Sequence, residues 1–251
     1  AIDRRLAIAL AGIFALGAVQ AAVGWWMVAS GLTERVNVSQ YRLAFHLTLA
    51  CIIYAALAWT ADRTRSGFGA GAAVNAPPVP QRLRWGAGAL LALVIAQIYL
   101  GALVAGLRAG LIYDTWPLID GSFIPSAANL LFDQPWWRNF FENTLTVQFD
   151  HRMVAYGLCA LALAHAVDAH CGGNDHLATG AAFVAVAVLA QAGIGIITLT
   201  SGVPLHLALL HQAMALVVLT AATLHAARAL SLPQLRRHAK GRHDADVRNP
   251  A

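Results

Sequence analysis

The chain has 251 residues, of which 59% are hydrophobic and only 12% charged, and its mean hydropathy is +0.60. Soluble domains run nearer half apolar and roughly a quarter charged, so a water-soluble enzyme is excluded. Nine prolines, no glycine period and three scattered cysteines likewise exclude collagen-like, disordered and disulfide-stapled chains. What remains is an all-α integral membrane protein.

A bilayer core of roughly 30 Å takes about 20 apolar residues per helix. The uncharged run Leu6 to Thr33 predicts a first span over about 6–32. It is too long for a signal-peptide core, and no small-residue cleavage pattern follows it. A second span, about 41–61, rests on the run Leu43 to Ala61 and closes a unit of residues 1–65. After a loop over 66–84, Trp85 to Leu107 predicts a span over about 85–107, followed by a long loop, 108–146. The run from Met153 to about Val167, with a helix that starts a turn earlier, gives a span over about 147–168. The run Leu177 to Ala227 is divided by Ser201-Gly202-Val203-Pro204, a turn signal, into spans over about 177–200 and 205–228. A basic tail, 231–251, ends the chain. Six membrane-spanning helices are expected.

Arginine and lysine orient them. Twelve of the 17 lie at the N-terminus, in the 66–84 loop and its flanks, and around the tail. The other side holds five: Arg35, Arg42, Arg108, Arg138 and Arg152. Both termini are therefore expected in the cytoplasm. The net charge of +5 reflects this topology and contact with anionic lipid, with no need for nucleic acid. Cys51, Cys159 and Cys171 form no CxxC pair and receive no chemistry.

An internal repeat runs through the spans. The first reads Gln20-x-x-x-Gly24, the third Gln97-x-x-x-Gly101 and the fifth Gln191-x-x-x-Gly195. Each is followed by a helix with a histidine near its outer end: His46, His151 and His211. The unit is a glycine-bearing helix and then a histidine-bearing one. Ionisable residues inside membrane spans are functional candidates, and three at one depth in one repeat position outweigh the bland reading of three separate satisfied imidazoles. Neutral imidazole is a metal ligand, and two from facing helices suit a six-coordinate haem iron. Zinc is disfavoured, since no thiolate or carboxylate stands beside them to complete a tetrahedral set. Axial histidines come in pairs and there are three here, so either one is idle or a further helix pair precedes the chain.

These residues resemble haem A synthase of the proteobacterial and mitochondrial type. The likeness covers the chain to about Leu230 and rests on QAAVGWWMVASGL (Gln20 to Leu32), VSQYRLAFHL (Val38 to Leu47), GALVAGLRAGLIYDTWPLIDG (Gly101 to Gly121), TVQFDHRMVAY (Thr146 to Tyr156) and LALLHQAMAL (Leu207 to Leu216). The third string is the most diagnostic. The resemblance implies an eight-helix protein duplicated from four-helix halves, of which this chain corresponds to helices three to eight. Residues 1–65 are then the second helix pair of the N-terminal half, and 85–230 the C-terminal half. The resemblance further implies that His151 and His211 ligate a haem b cofactor in the C-terminal half. His46 would ligate the substrate, haem O, in the N-terminal half.

The reaction implied is two successive hydroxylations of the haem O C8 methyl, then dehydration to the formyl group of haem A. The family's catalytic glutamate lies in an ExxHR segment that has no match here. The equivalent place in the C-terminal half reads Gln148-Phe-Asp-His151-Arg152, so no catalytic residue is assigned. The alternative is a b-type membrane cytochrome that carries electrons and leaves its haem unchanged. A bacterial cytoplasmic membrane is the expected location. The partners to consider are haem O, lipid, a haem O synthase and a second copy of the chain.

Arg42, Arg108 and Arg152 are candidate clamps for haem propionates, because guanidinium binds carboxylate bidentately. Aromatic residues of the 108–146 loop suit short interfacial helices that form a lid over the C-terminal haem. His165 and His225 each lie about four helical turns beyond a proposed ligand, on nearly the same face and about 21 Å deeper. That spacing resembles the two-haem helices of respiratory cytochrome b. Position 60, the equivalent place after His46, is threonine, so His165 and His225 are read as interfacial histidines. His170, His176, His238 and His243 are read as loop or tail residues with no partner pattern.

Overall fold

The computed structural model describes residues 3–31, 38–65, 79–172 and 175–231. Most of the 66–84 loop and the tail beyond 231, with His238 and His243, fall outside them. Eight α-helices are present among the described residues: α1 (Arg4–Ala29), α2 (Gln40–Arg65), α3 (Gln81–Gly106), the short α4 (Ala127–Leu130) and α5 (Asn139–Glu142), α6 (Thr144–Cys171), α7 (Asp175–Thr200) and α8 (Leu205–Ser231). Six of them are long and apolar enough to cross a membrane, which bears out the expected number and the all-α class. In hydrocarbon every backbone N–H and C=O must be paired within the segment, and the α-helix does this for spans that contain several glycines.

α3, α6, α7 and α8 form a ring in which α3 packs on α6, α6 on α7, α7 on α8, and α8 back on α3. α6 and α8 therefore face each other across the bundle axis, as do α3 and α7. Leu90 and Val94 of α3, Leu158 and Ala162 of α6, Val184 and Val188 of α7, and Leu219 and Ala222 of α8 fill the centre. Most of this set is alanine or valine, and small side chains let membrane helices approach closely. α2 lies against α3 and α8, and α1 lies against α2 with none of its own residues buried.

The 108–143 loop closes one end of the bundle, hereafter the loop end. α3 stops where Arg108 turns left-handed at φ 53°, and a 3-10 turn over Ala109–Leu111 follows. The far end of the loop is tied to the start of α6. Asn143 caps α6 with its side-chain oxygen, which accepts from Leu145 N at 3.0 Å, while its Nδ2 donates to Asn129 O at 2.9 Å and Leu130 O at 3.2 Å. Thr146 Oγ1 donates to Leu130 O at 2.6 Å. At the same end the α7–α8 turn uses Gly202 at φ 76°, a conformation that suits a residue without Cβ.

His165 and His225 are 6% and 3% exposed inside the four-helix ring, six residues before the ends of α6 and α8. Their spacing from His151 and His211 keeps each on the inward face of its helix, and the helices run on past both. His170 and His176, read as loop residues, belong to the last turn of α6 and the first turn of α7.

Candidate functional site

The three Gln-x-x-x-Gly strings make the same structure three times. On α1, Gln20 Nε2 donates to the His46 carbonyl at 3.1 Å and lies 3.3 Å from the ring Nε2. On α3, Gln97 Nε2 donates to the His151 carbonyl at 2.9 Å and lies 3.1 Å from the ring Nδ1. On α7, Gln191 Nε2 donates to the His211 carbonyl at 3.0 Å and lies 3.2 Å from Nδ1.

One turn further along, the glycine meets the imidazole edge. A β-carbon at Gly24 would stand 3.0 Å from His46 Cε1, one at Gly101 3.1 Å from His151 Cε1, and one at Gly195 2.8 Å from His211 Cε1. Glutamine fixes the histidine's backbone and glycine leaves room for its ring. The motif is a seat for a histidine of the next helix rather than a general packing device.

Two of these seats lie within the four-helix ring: His151 on α6 and His211 on α8 belong to helices that face each other, both at the loop end. His46 on α2 stands outside the ring in the same register, with its seat on α1.

The candidate arginines are placed differently from one another. Arg42 donates from Nη1 to Trp26 O at 2.7 Å, and its guanidinium lies 4.5 Å over the Trp26 ring. Arg152 is buried and donates to Leu118 O and Tyr113 O, both at 3.2 Å. Arg108 stands at the end of α3, where the chain turns into the loop.

Arg152 is joined by residues to which sequence reading assigns no role. Gln148 Nε2 donates to Tyr113 O at 2.8 Å, and Trp116 Nε1 donates to Tyr156 OH at 2.9 Å. Gln148, Arg152 and Tyr156 bracket His151 along α6, so the 113–118 segment is pinned beside that histidine. The loop is also bonded to the His46 helix: Tyr41 OH donates to Glu142 Oε1 at 2.5 Å, and Glu142 pairs with Arg138. Arg138 holds its proton more firmly than an ordinary arginine, first because of its hydrogen bond to Glu142 and then because of that carboxylate's charge. The backbone carbonyls that accept from Gln148 and Arg152 carry no sequence signature, and the side-chain pairs join residues far apart in the chain, which is why these attachments were not legible.

The seats fit a metalloporphyrin. The Oε1 atoms of Gln20, Gln97 and Gln191 and the Nδ1 of His46 are buried with no hydrogen-bond partner. Each glutamine thus spends its amide N–H on the histidine of the next helix, which fixes where that histidine's ring stands. No group of three or more His, Cys, Asp or Glu side chains is close enough to hold a bare metal ion among the described residues. Imidazoles offered from two facing helices suit an iron whose other four ligands come with it.

Residues 1–223 match the family described as cytochrome oxidase assembly protein. The chain is 56% identical over 230 residues to a heme A synthase of Rhodopseudomonas palustris strain HaA2, covering 91% of this chain and 60% of that protein. It is 54% identical over 230 residues to a heme A synthase of Bradyrhizobium diazoefficiens, covering 92% of this chain and 62% of the relative. A heme A synthase of Bradyrhizobium sp. strain ORS 278 is 55% identical over 217 residues, or 86% and 58% of the two chains. The chain thus spans about 60% of the length of the curated relatives it matches. With a family match across most of its length and six long apolar helices behind it, this chain belongs to the cytochrome oxidase assembly protein family.

Proposed function

We propose that the protein acts in haem A synthesis as a membrane oxidoreductase. Its substrate is haem O, whose C8 methyl group is hydroxylated twice, each time a two-electron oxidation of the carbon at the expense of an external oxidant, and then loses water to leave a formyl group. The observation that carries the reading is the threefold histidine seat, with its glutamine-to-carbonyl bonds and glycine clearances. The names of the relatives, all heme A synthases, support it.

In this reading His151 and His211 hold a haem b in the four-helix ring, and His46 takes the substrate iron from the α2 side. When bound, the haem b would supply a one-electron carrier, with His151 and His211 as the residues that would hold it. Gln97 and Gln191 fix the height of the two ligand helices against α3 and α7. The 113–118 segment, held by Gln148, Arg152 and Tyr156, shields His151 from water at the loop end. Arg42, braced on Trp26, stands one turn from His46, where a substrate propionate would lie. Arg108, at the end of α3, takes the same part for the cofactor. The loop end faces the outside of a bacterial cytoplasmic membrane and both termini face the cytoplasm, a reading that the arginine asymmetry supports.

The test is expression of the chain, joined to the ExxHR-bearing helix pair of a heme A synthase relative, in a host that makes haem O and lacks haem A, with chromatography of the extracted haems. Haem A in the extract is the expected result. Haem O and haem b alone would favour the electron-carrying cytochrome.

A further inference from the structure

A groove runs along α1 and α2 in the half of the bundle away from the loop. Its deeper part is a cavity of about 610 Å³ walled by Ile13 and Leu16 of α1, Ala55 and Ala56 of α2, and Leu91 of α3. A second cavity of about 410 Å³ adjoins it, and Ala9, Trp59 and Thr60 line both. The second is also lined by Arg63, one turn beyond Trp59, and by Ser231, the last residue of α8. The groove is therefore apolar along the interior of the spans and cationic where the helices end.

The sequence makes both parts. On α1 the lining residues Ala9, Gly12, Ile13 and Leu16 follow one another at helical three- and four-residue spacing, so they share a face, and a β-carbon at Gly12 would have nothing within 4 Å. Arg5 lies one turn before Ala9 on the same face. The Arg63 guanidinium donates to the neutral Ser231 hydroxyl, and neither it nor the Arg5 side chain is in an ion pair among the described residues. Nearby carboxylates are engaged in other ways. Asp62 pairs with Arg228 at 3.7 Å, Asp168 pairs with Arg82 at 2.9 Å, and Asp3 caps α1 by accepting from the Arg5 backbone N–H at 2.9 Å.

We propose that this groove is a binding site for an anionic phospholipid, with one acyl chain lying along α1 and α2 and the phosphate headgroup meeting Arg63 and Arg5. At 1.5 Å per residue the groove is about 10–12 Å long, from Leu16 to Ala9 on one helix and from Ala55 to Arg63 on the other. That is the reach of roughly eight to ten carbons of an extended acyl chain. Its methylenes supply the contacts that the apolar walls lack across the groove. Basic pockets between membrane helices take anionic headgroups, and guanidinium binds phosphate bidentately. A zwitterionic lipid would bring its own cation to the two arginines, so the site selects net negative charge. Trp59, one turn deeper than Arg63, suits the ester level, where indole is favoured at membrane interfaces. The lipid braces α1, which has no buried residue of its own and packs against α2. That helix carries Gln20 and Gly24, so the bound lipid supports the seat of His46 from its far end.

The site is tested without reference to haem. The purified full chain in detergent is titrated with phosphatidylglycerol and, separately, with phosphatidylcholine of the same acyl chains, and bound lipid is counted by native mass spectrometry. Each arginine near a headgroup shifts anionic-lipid binding about fivefold, so the parent is expected to prefer phosphatidylglycerol by at least about tenfold. Arg63→Gln is expected to weaken phosphatidylglycerol about fivefold and leave phosphatidylcholine unchanged. Gly12→Leu, which fills the groove, is expected to weaken both lipids. Gly17→Leu makes the same change on α1 outside the groove, again with nothing within 4 Å of the new β-carbon, and is expected to weaken neither. Equal affinity of the parent for the two lipids would overturn the site, as would parental binding of phosphatidylglycerol by either Arg63→Gln or Gly12→Leu. A loss in Gly17→Leu equal to that in Gly12→Leu would overturn it too, by assigning the loss to α1 as a whole.

Discussion

Gly195 and Gly193 are near neighbours on α7, and their substitution by alanine separates a histidine seat from a helix effect. Both changes remove a helix-interior glycine, worth about 1 kcal/mol of helix propensity in either case. They differ in what the new methyl meets. At Gly193 nothing lies within 4 Å, whereas at Gly195 the methyl stands 2.8 Å from His211 Cε1. Carbon atoms settle at about 3.5–4.0 Å, so the ring must retreat by roughly 0.7 Å or more. In the absence of ligand the ring can yield. With iron bound it cannot, because metal–ligand distances tolerate only about 0.2 Å. The overlap therefore appears in haem affinity, at about 1–3 kcal/mol for an overpacked site. That range corresponds to a roughly 5- to 150-fold loss. The assay is competition for haem with an apo-globin acceptor, followed in the Soret band. Gly193→Ala is expected to match the parent. Equal affinity in Gly195→Ala would refute the idea that this glycine exists to seat the histidine.

Gln191→Leu removes the donor to the His211 carbonyl and is expected to weaken haem retention about 10- to 100-fold, the range for losing a group that orients a ligand; retention within about twofold would count against the seat. Arg152→Ala strips the two hydrogen bonds to Tyr113 O and Leu118 O. Charged hydrogen bonds are worth about 1.5–3 kcal/mol each, so amide exchange across 113–118 should rise by at least about tenfold, and an unchanged exchange rate would place the loop's anchor elsewhere. Asn143→Ala loses the α6 cap and the bonds to Asn129 and Leu130, for a destabilisation of about 1–2 kcal/mol visible as a lower thermal midpoint.

Hydrophobic run length made the spans legible, since a membrane leaves few other ways to arrange about 20 apolar residues. The histidine repeat was legible because glutamine, glycine and histidine recur at fixed places in each helix pair. What each residue of the motif does was not, because the Gln-to-carbonyl bond and the Gly-to-ring contact join separate helices that are distant in sequence. His165 and His225 show the opposite case. Their spacing was visible, but their burial depended on knowing that α6 and α8 face each other across the bundle. The signal that would have placed them is the pair Gly86 and Gly180, each at one common spacing from a seat glycine.

The account turns on His151 and His211 sharing one iron, and haem content per chain tests that most directly. Each histidine is replaced by alanine singly and then together, in the purified protein. If the two hold the same haem, each single variant loses one equivalent and the double variant loses no more than either. Losses that add, or a single variant that keeps its full complement, would contradict the pairing.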